Sequence, residues 1–112
     1  MGTVLQFPGP STQIQVTFER FELNRIVDLY GRMVAAGLWK DYAIEFRADA
    51  ASFRAFRRAA ESPEYRIEKR PQERARQGLW ALIGEAGQVL RRGPELGPIL
   101  APLERRLLKV VN

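Results

Sequence analysis

The sequence predicts an α+β domain: a small, mostly antiparallel sheet with helices on one face, in the order β-α-β-α-β-β-β-α. Three observations carry this reading. Apolar residues alternate with polar ones in Ile14-Val16-Phe18 and again in Tyr42-Ile44-Phe46, the signature of half-buried strands. Between them, Leu23, Ile26, Val27, Tyr30, Met33 and Val34 recur at helical spacing. Clusters of Gly and Pro then break the remainder into short segments. The chain has 112 residues and no long apolar run, which suits one domain. A domain of this size buries roughly two-thirds of its unfolded surface.

Residues 1–12 end in Phe7-Pro8-Gly9-Pro10-Ser11-Thr12 and read as a flexible lead-in to a single domain over 13–112. The first strand runs from Gln13 to Phe18. The helix that follows ends at Gly37, a residue suited to the left-handed position that stops a helix. Leu23, Ile26, Val27, Tyr30 and Val34 are its expected inward face, packed against Ile14, Val16, Ile44 and Phe46. Asp49 is a fitting cap for a second helix, Ala50 to Ala60, with Phe53, Phe56 and Ala60 inward. Ser62-Pro63 closes it, because a residue before proline is pushed out of helical geometry.

Tyr65 to Arg70 reads as a third strand, ended by Pro71. The stretch to Gln77 is either an open loop or one helical turn with proline first. Leu79 to Ile83 is apolar on both faces and suggests a central strand. Gly84-Glu85-Ala86-Gly87 turns it into a fifth strand, Gln88 to Arg92. Pro98 and Pro102 argue against one continuous helix at the end of the chain. The expectation is a short turn near Pro94 to Leu100, then a helix from Pro102 to about Val110.

Four segments in this order, Leu29-Tyr30-Gly31-Arg32-Met33-Val34-Ala35-Ala36-Gly37, Asp41-Tyr42-Ala43-Ile44, Phe56-Arg57-Arg58-Ala59 and Tyr65-Arg66-Ile67-Glu68-Lys69-Arg70-Pro71, resemble a family of short alphaproteobacterial proteins, domain-of-unknown-function family number 2794. The resemblance spans about Gln15 to Val111. It implies a small cytoplasmic bacterial protein and carries no catalytic residues with it.

The composition excludes much chemistry. There is no cysteine and no histidine, hence no disulfide, no zinc site with sulfur or imidazole ligands, and no His-based triad. No metal or cofactor is expected. Asp41 with Glu45, and Glu19 with Glu22, are spaced to meet on one face. Paired carboxylates do acid–base work only where burial separates their pKa values, and Glu45 is expected to face water. No Gly-rich phosphate loop is present. The expectation is a non-enzymatic protein, without a secretory signal or a membrane span, in the cytoplasm.

Charge gives the functional signal. The chain carries 18 Lys+Arg against 13 Asp+Glu, a net charge of +5. Fifteen of the cations are arginine, whose fork suits phosphate and carboxylate. From Arg54 to Arg76 there are eight cations and four acids. The candidate binding residues are Arg54, Arg58, Arg66, Lys69, Arg70, Arg74 and Arg76, with nucleic acid as the partner. Two readings compete with it: a merely solvated face of alternating charge, and an adaptor, homodimeric through its sheets or its Val110-Val111 end, that offers the same surface to an acidic protein. Trp80 is a base-stacking platform, a subunit anchor or core, and core is the preferred reading.

Overall fold

Segments with a two-residue period and short links fold as hairpins, each strand pairing with its chain neighbour. The computed structural model shows this outcome for residues 14–58 and 62–111. The expected lead-in over 1–12, and Gln13, Ala59 and Ala60, lie outside the described residues. The elements are α1 (Arg20–Ala35), β1 (Asp41–Phe46), β2 (Ala51–Phe56), β3 (Tyr65–Lys69), a 3-10 turn (Pro71–Glu73), β4 (Trp80–Gly84), β5 (Val89–Gly93) and α2 (Leu96–Val111). The five strands form one antiparallel sheet in the order β1-β2-β3-β4-β5. Both helices contribute to a single core on one face of it. The architecture is α+β as expected, but the element order is α-β-β-β-β-β-α.

Two corrections produce that difference. The expected first strand is extended coil: Ile14 is 74% exposed, and among the described residues a single backbone bond, the Val16 amide donating to the Arg47 carbonyl at 2.8 Å, pairs it with the sheet edge. Phe18, at its end, is buried and stacks on Trp80 with ring centroids 6.1 Å apart. The expected helix over Ala50 to Ala60 is instead strand β2. Its period is two: Ala51, Phe53 and Ala55 join the helix-side core, and Ser52, Arg54 and Phe56 point the other way. Pairing with a strand on each side outweighs the helix preference of an Ala- and Arg-rich segment. Asp49 caps no helix; it sits in the β1–β2 turn, accepting from Arg47 Nε at 3.2 Å.

Helix α1 ends as its sequence dictates. The Leu38 amide donates to the Met33 carbonyl and the Gly37 amide to Val34, both at 2.9 Å, with Gly37 at φ 80°. This pair of bonds is the Schellman stop. Its buried stripe is Glu22, Ile26, Leu29 and Met33, rotated from the expected face. Val27 and Val34 are each 41% exposed, and Leu23 and Tyr30 are half-buried.

Helix α2 is one continuous helix, against expectation. Pro98 lies in its first turn, where an amide has no helical partner to lose. Pro102 lacks the N–H that would bond the Pro98 carbonyl, and that carbonyl accepts from Arg91 Nη1 of β5 at 3.0 Å instead. The sheet thus supplies the donor that the second proline removes.

A buried ion pair sets the helix layer on the sheet. Lys69 Nζ donates to Glu22 Oε1 at 2.7 Å and to the Thr17 carbonyl at 3.1 Å. The same Glu22 oxygen accepts the Glu19 amide at 2.8 Å, closing the start of α1. Lys69 also lies over the Trp80 ring, 5.9 Å from its centroid.

Two stability measurements check this core. Ile26→Ala is expected to cost about 2–5 kcal/mol by urea denaturation, and Val27→Ala, on the exposed flank, less than about 1 kcal/mol. Lys69→Met is expected to cost about 3–5 kcal/mol because it strands the Glu22 carboxylate, with much of the loss recovered in Glu22→Leu/Lys69→Met.

Candidate nucleic-acid interface

Strand alternation sends every second residue of the sheet away from the helices. Across the register, Arg54 of β2 stands directly opposite Arg66 of β3, and Ser52 opposite Glu68. Glu68 is in turn opposite Ala81, Arg66 opposite Ile83, and Ala81 opposite Arg92. These residues form a face that neither helix covers. Ser52, Glu68, Ala81 and Ile83 are nonetheless buried on it. Their cross-strand neighbours include Arg66 and Arg92, whose long stems stand beside them while the guanidinium groups reach water.

Like charges directly opposite each other across two strands are unfavourable. The Arg54–Arg66 pair is only partly relieved. Arg66 Nη1 lies 3.8 Å from Glu68 Oε2. Glu68 is held more closely by Arg70, whose Nη2 and Nε donate to Oε1 at 2.6 and 2.9 Å. Glu45, on the same face of β1, is taken by Arg47 at 3.0 Å. Arg54 makes no ion pair among the described residues, and its Nε is buried without an acceptor. The hydroxyl of Ser52, two residues earlier on the same face, is likewise buried and unpartnered. Buried donors of this kind are uncommon and costly to leave unsatisfied.

The structure sorts the predicted residues into four groups. Arg54, Arg66 and Arg70 come together on the uncovered face. Lys69 does not: it points to the helices and is consumed by Glu22, so it leaves the candidate set. Its position between Arg66 and Arg70 on a strand already implies the opposite face. Arg74 and Arg76 are exposed at the β3–β4 connection, with Arg76 3.3 Å from Glu73. Arg58 follows β2 and lines a cleft of about 620 Å³ at one end of the sheet, together with Lys40, Arg57 and Arg106. Of these cleft residues, Lys40, Arg57 and Arg106, like Arg92 on the open face, were not among the predicted ones, since only the folded sheet and helix α2 bring them to these positions.

The remaining candidates have structural partners. Trp80 belongs to the core, between Phe18 and Lys69, and Trp39 donates its Nε1 hydrogen to Glu64 at 2.8 Å. Glu22 of the Glu19/Glu22 pair is the partner of Lys69. Arg106 donates from Nη1 to Glu64 at 3.0 Å. Burial alone lowers the Arg106 pKa, but the bond to Glu64 and its charge outweigh that and hold it above the ordinary arginine value. No group of three or more metal-ligating side chains occurs among the described residues, and no helix among them is long and apolar enough to cross a membrane.

Nothing among the curated proteins or the solved structures matches this chain. One family does, over residues 16–100, a span that includes α1, the entire sheet and the start of α2. The chain with this arginine-bearing sheet face belongs to the family described as protein of unknown function (DUF2794).

Proposed function

We propose that the protein is a non-enzymatic regulatory or accessory factor that contacts nucleic acid through the uncovered face of its sheet. One observation carries the reading: Arg54 and Arg66 face each other across β2 and β3, and the Arg54 Nε has no acceptor. A phosphate held between the outer nitrogens of the two guanidinium groups would relieve the repulsion. Arg70 and Arg92 extend the same face, and polyphosphate chains reward several such contacts by releasing counterions. The contact is to backbone rather than to base edges, because no described helix projects from the sheet toward a groove.

A protein-binding reading has one observation of its own. Val27, Val34, Leu108 and Val110 are exposed on the helices, where a partner chain would cover them. Strand β4, apolar on both faces, needs no partner chain to cover it, since all of its residues are buried within one chain.

Salt dependence separates the readings. Binding of a short single-stranded oligonucleotide is expected to weaken linearly in log affinity against log salt. Arg54→Ala/Arg66→Ala should reduce the slope by about 0.7 for each phosphate that is no longer neutralised. Arg105→Ala, an exposed cation on α2, should leave it unchanged. Arg105→Ala should melt close to the parent, since a charge that reaches water adds little to stability. Arg54→Ala/Arg66→Ala should melt somewhat lower through the lost arginine stems while staying folded. Equal slopes in all variants, or no affinity at low salt, would sink the proposal and favour a protein partner.

A further inference from the structure

The cleft at the end of the sheet has a composition that the open face does not account for. It is formed where α1 stops, β1 starts, β2 ends and α2 passes by, and is lined by Gly37, Leu38, Lys40, Arg57, Arg58 and Arg106. Four of these six residues are cationic, and no carboxylate is among them. Carboxylates outside the lining pair with two of these arginines. Glu64, mostly buried, takes the Trp39 indole N–H at 2.8 Å and Arg106 at 3.0 Å on one oxygen, and its other oxygen is 3.8 Å from Arg57 Nη1. Arg57 Nη2 is 3.0 Å from both oxygens of Glu85. Two arginines are thus fixed by their outer edges, which lowers the entropy lost when a ligand binds to them.

Lys40 is placed by its backbone, whose amide donates to the Phe56 carbonyl at 2.8 Å, while its side chain has no ion-pair partner among the described residues. A helix C-terminus commonly attracts cations to free carbonyls. Here the carbonyls of Met33 and Val34 are already occupied by the amides of Leu38 and Gly37, so that reason is weakened. Even with Arg58 left aside, Lys40, Arg57 and Arg106 against Glu64 and Glu85 leave a local excess of positive charge. The volume of 620 Å³ is that of a small-molecule site rather than a lone-ion site.

The geometry points to a binding site for a terminal phosphate, a phosphomonoester dianion, with Lys40, Arg57 and Arg106 as its principal contacts. The ligand is a molecule of mononucleotide size or the phosphorylated end of a nucleic-acid strand. Near neutral pH such a group carries close to two charges and offers three acceptor oxygens, which matches several converging donors. Internal diester phosphates, with one charge each, match the open face better. The site is independent of the Arg54–Arg66 reading, and either can fail alone.

Calorimetric titration of the full chain tests it, with AMP as probe and adenosine as control. AMP is expected to bind saturably and adenosine not. Lys40→Ala removes an exposed side chain outside every ion pair described, so its fold is safe; it should weaken AMP about tenfold, as should Arg57→Ala. Arg54→Ala/Arg66→Ala should leave AMP binding unchanged. A second arm compares 5′-phosphorylated with 5′-hydroxyl oligonucleotide. A phosphate-dependent gain that Lys40→Ala removes identifies the strand end as the source, and AMP binding without that gain identifies a free metabolite. No saturation by AMP up to about 10 mM, or an affinity untouched by both cleft variants, would overturn the assignment.

Discussion

Two helices serve five strands here, and both lie on the same side. The central strands β2 and β4 are nevertheless buried on both of their faces, with Ser52, Ala81 and Ile83 hidden on the side that has no helix. A face left open in this way must be closed by its own side chains. Long stems with charged ends meet the requirement: they shield small and apolar neighbours and keep their heads in water. The arginines of β3 and β5 are therefore part of how the sheet is built as well as a surface that others can meet.

The alternation that divides the faces also divides the charges by role. Lys69 is turned inward, where Glu22 neutralises it and ties β3 to the start of α1. Arg66 and Arg70, its neighbours along the chain, are turned outward around Glu68. A slip of β3 by one residue against β2 would turn β3 over, burying Arg66 against the helices and exposing Ile67 on the face opposite to the retained Phe53 side of β2. The ion pair of Lys69 and the apolar set thus enforce the same register that brings Arg54 opposite Arg66. Packing on one side fixes electrostatics on the other.

Much of this was legible in the sequence. The Gly37 stop, the strands at β1, β3, β4 and β5, and the core placement of Trp80 all follow from local pattern and turn chemistry, while the stretch from Pro71, open between a loop and a helical turn, is a 3-10 turn. What was not legible depends on partners distant in sequence. Ala51 to Phe56 satisfies a helical and an extended period alike, and only flanking strands decide between them. The continuity of α2 through Pro102 depends on Arg91 reaching the Pro98 carbonyl from β5. Phe18 was read as the end of a strand, whereas stacking on Trp80 holds it without one. At the site, Arg66 and Arg70 were identified from charge density and Arg54 from the outer face of the expected helix over Ala50 to Ala60, and their union on one face required the correct assignment of β2. Lys40 and Arg106 lie far apart in the chain, and no local pattern links them.

The central claim is that one face of the sheet is structural and the other meets an anion. Side-chain Nε–Hε correlation spectra of uniformly labelled protein, recorded while a short oligonucleotide is added, test it most directly. The account predicts saturable shifts of the Arg54 and Arg66 resonances, with the methyl signals of Ile26, Leu29 and Met33 in the helix-side core left in place. Arginine signals of the open face that stay fixed while other resonances titrate, or a spectrum that does not respond at low salt, would contradict it.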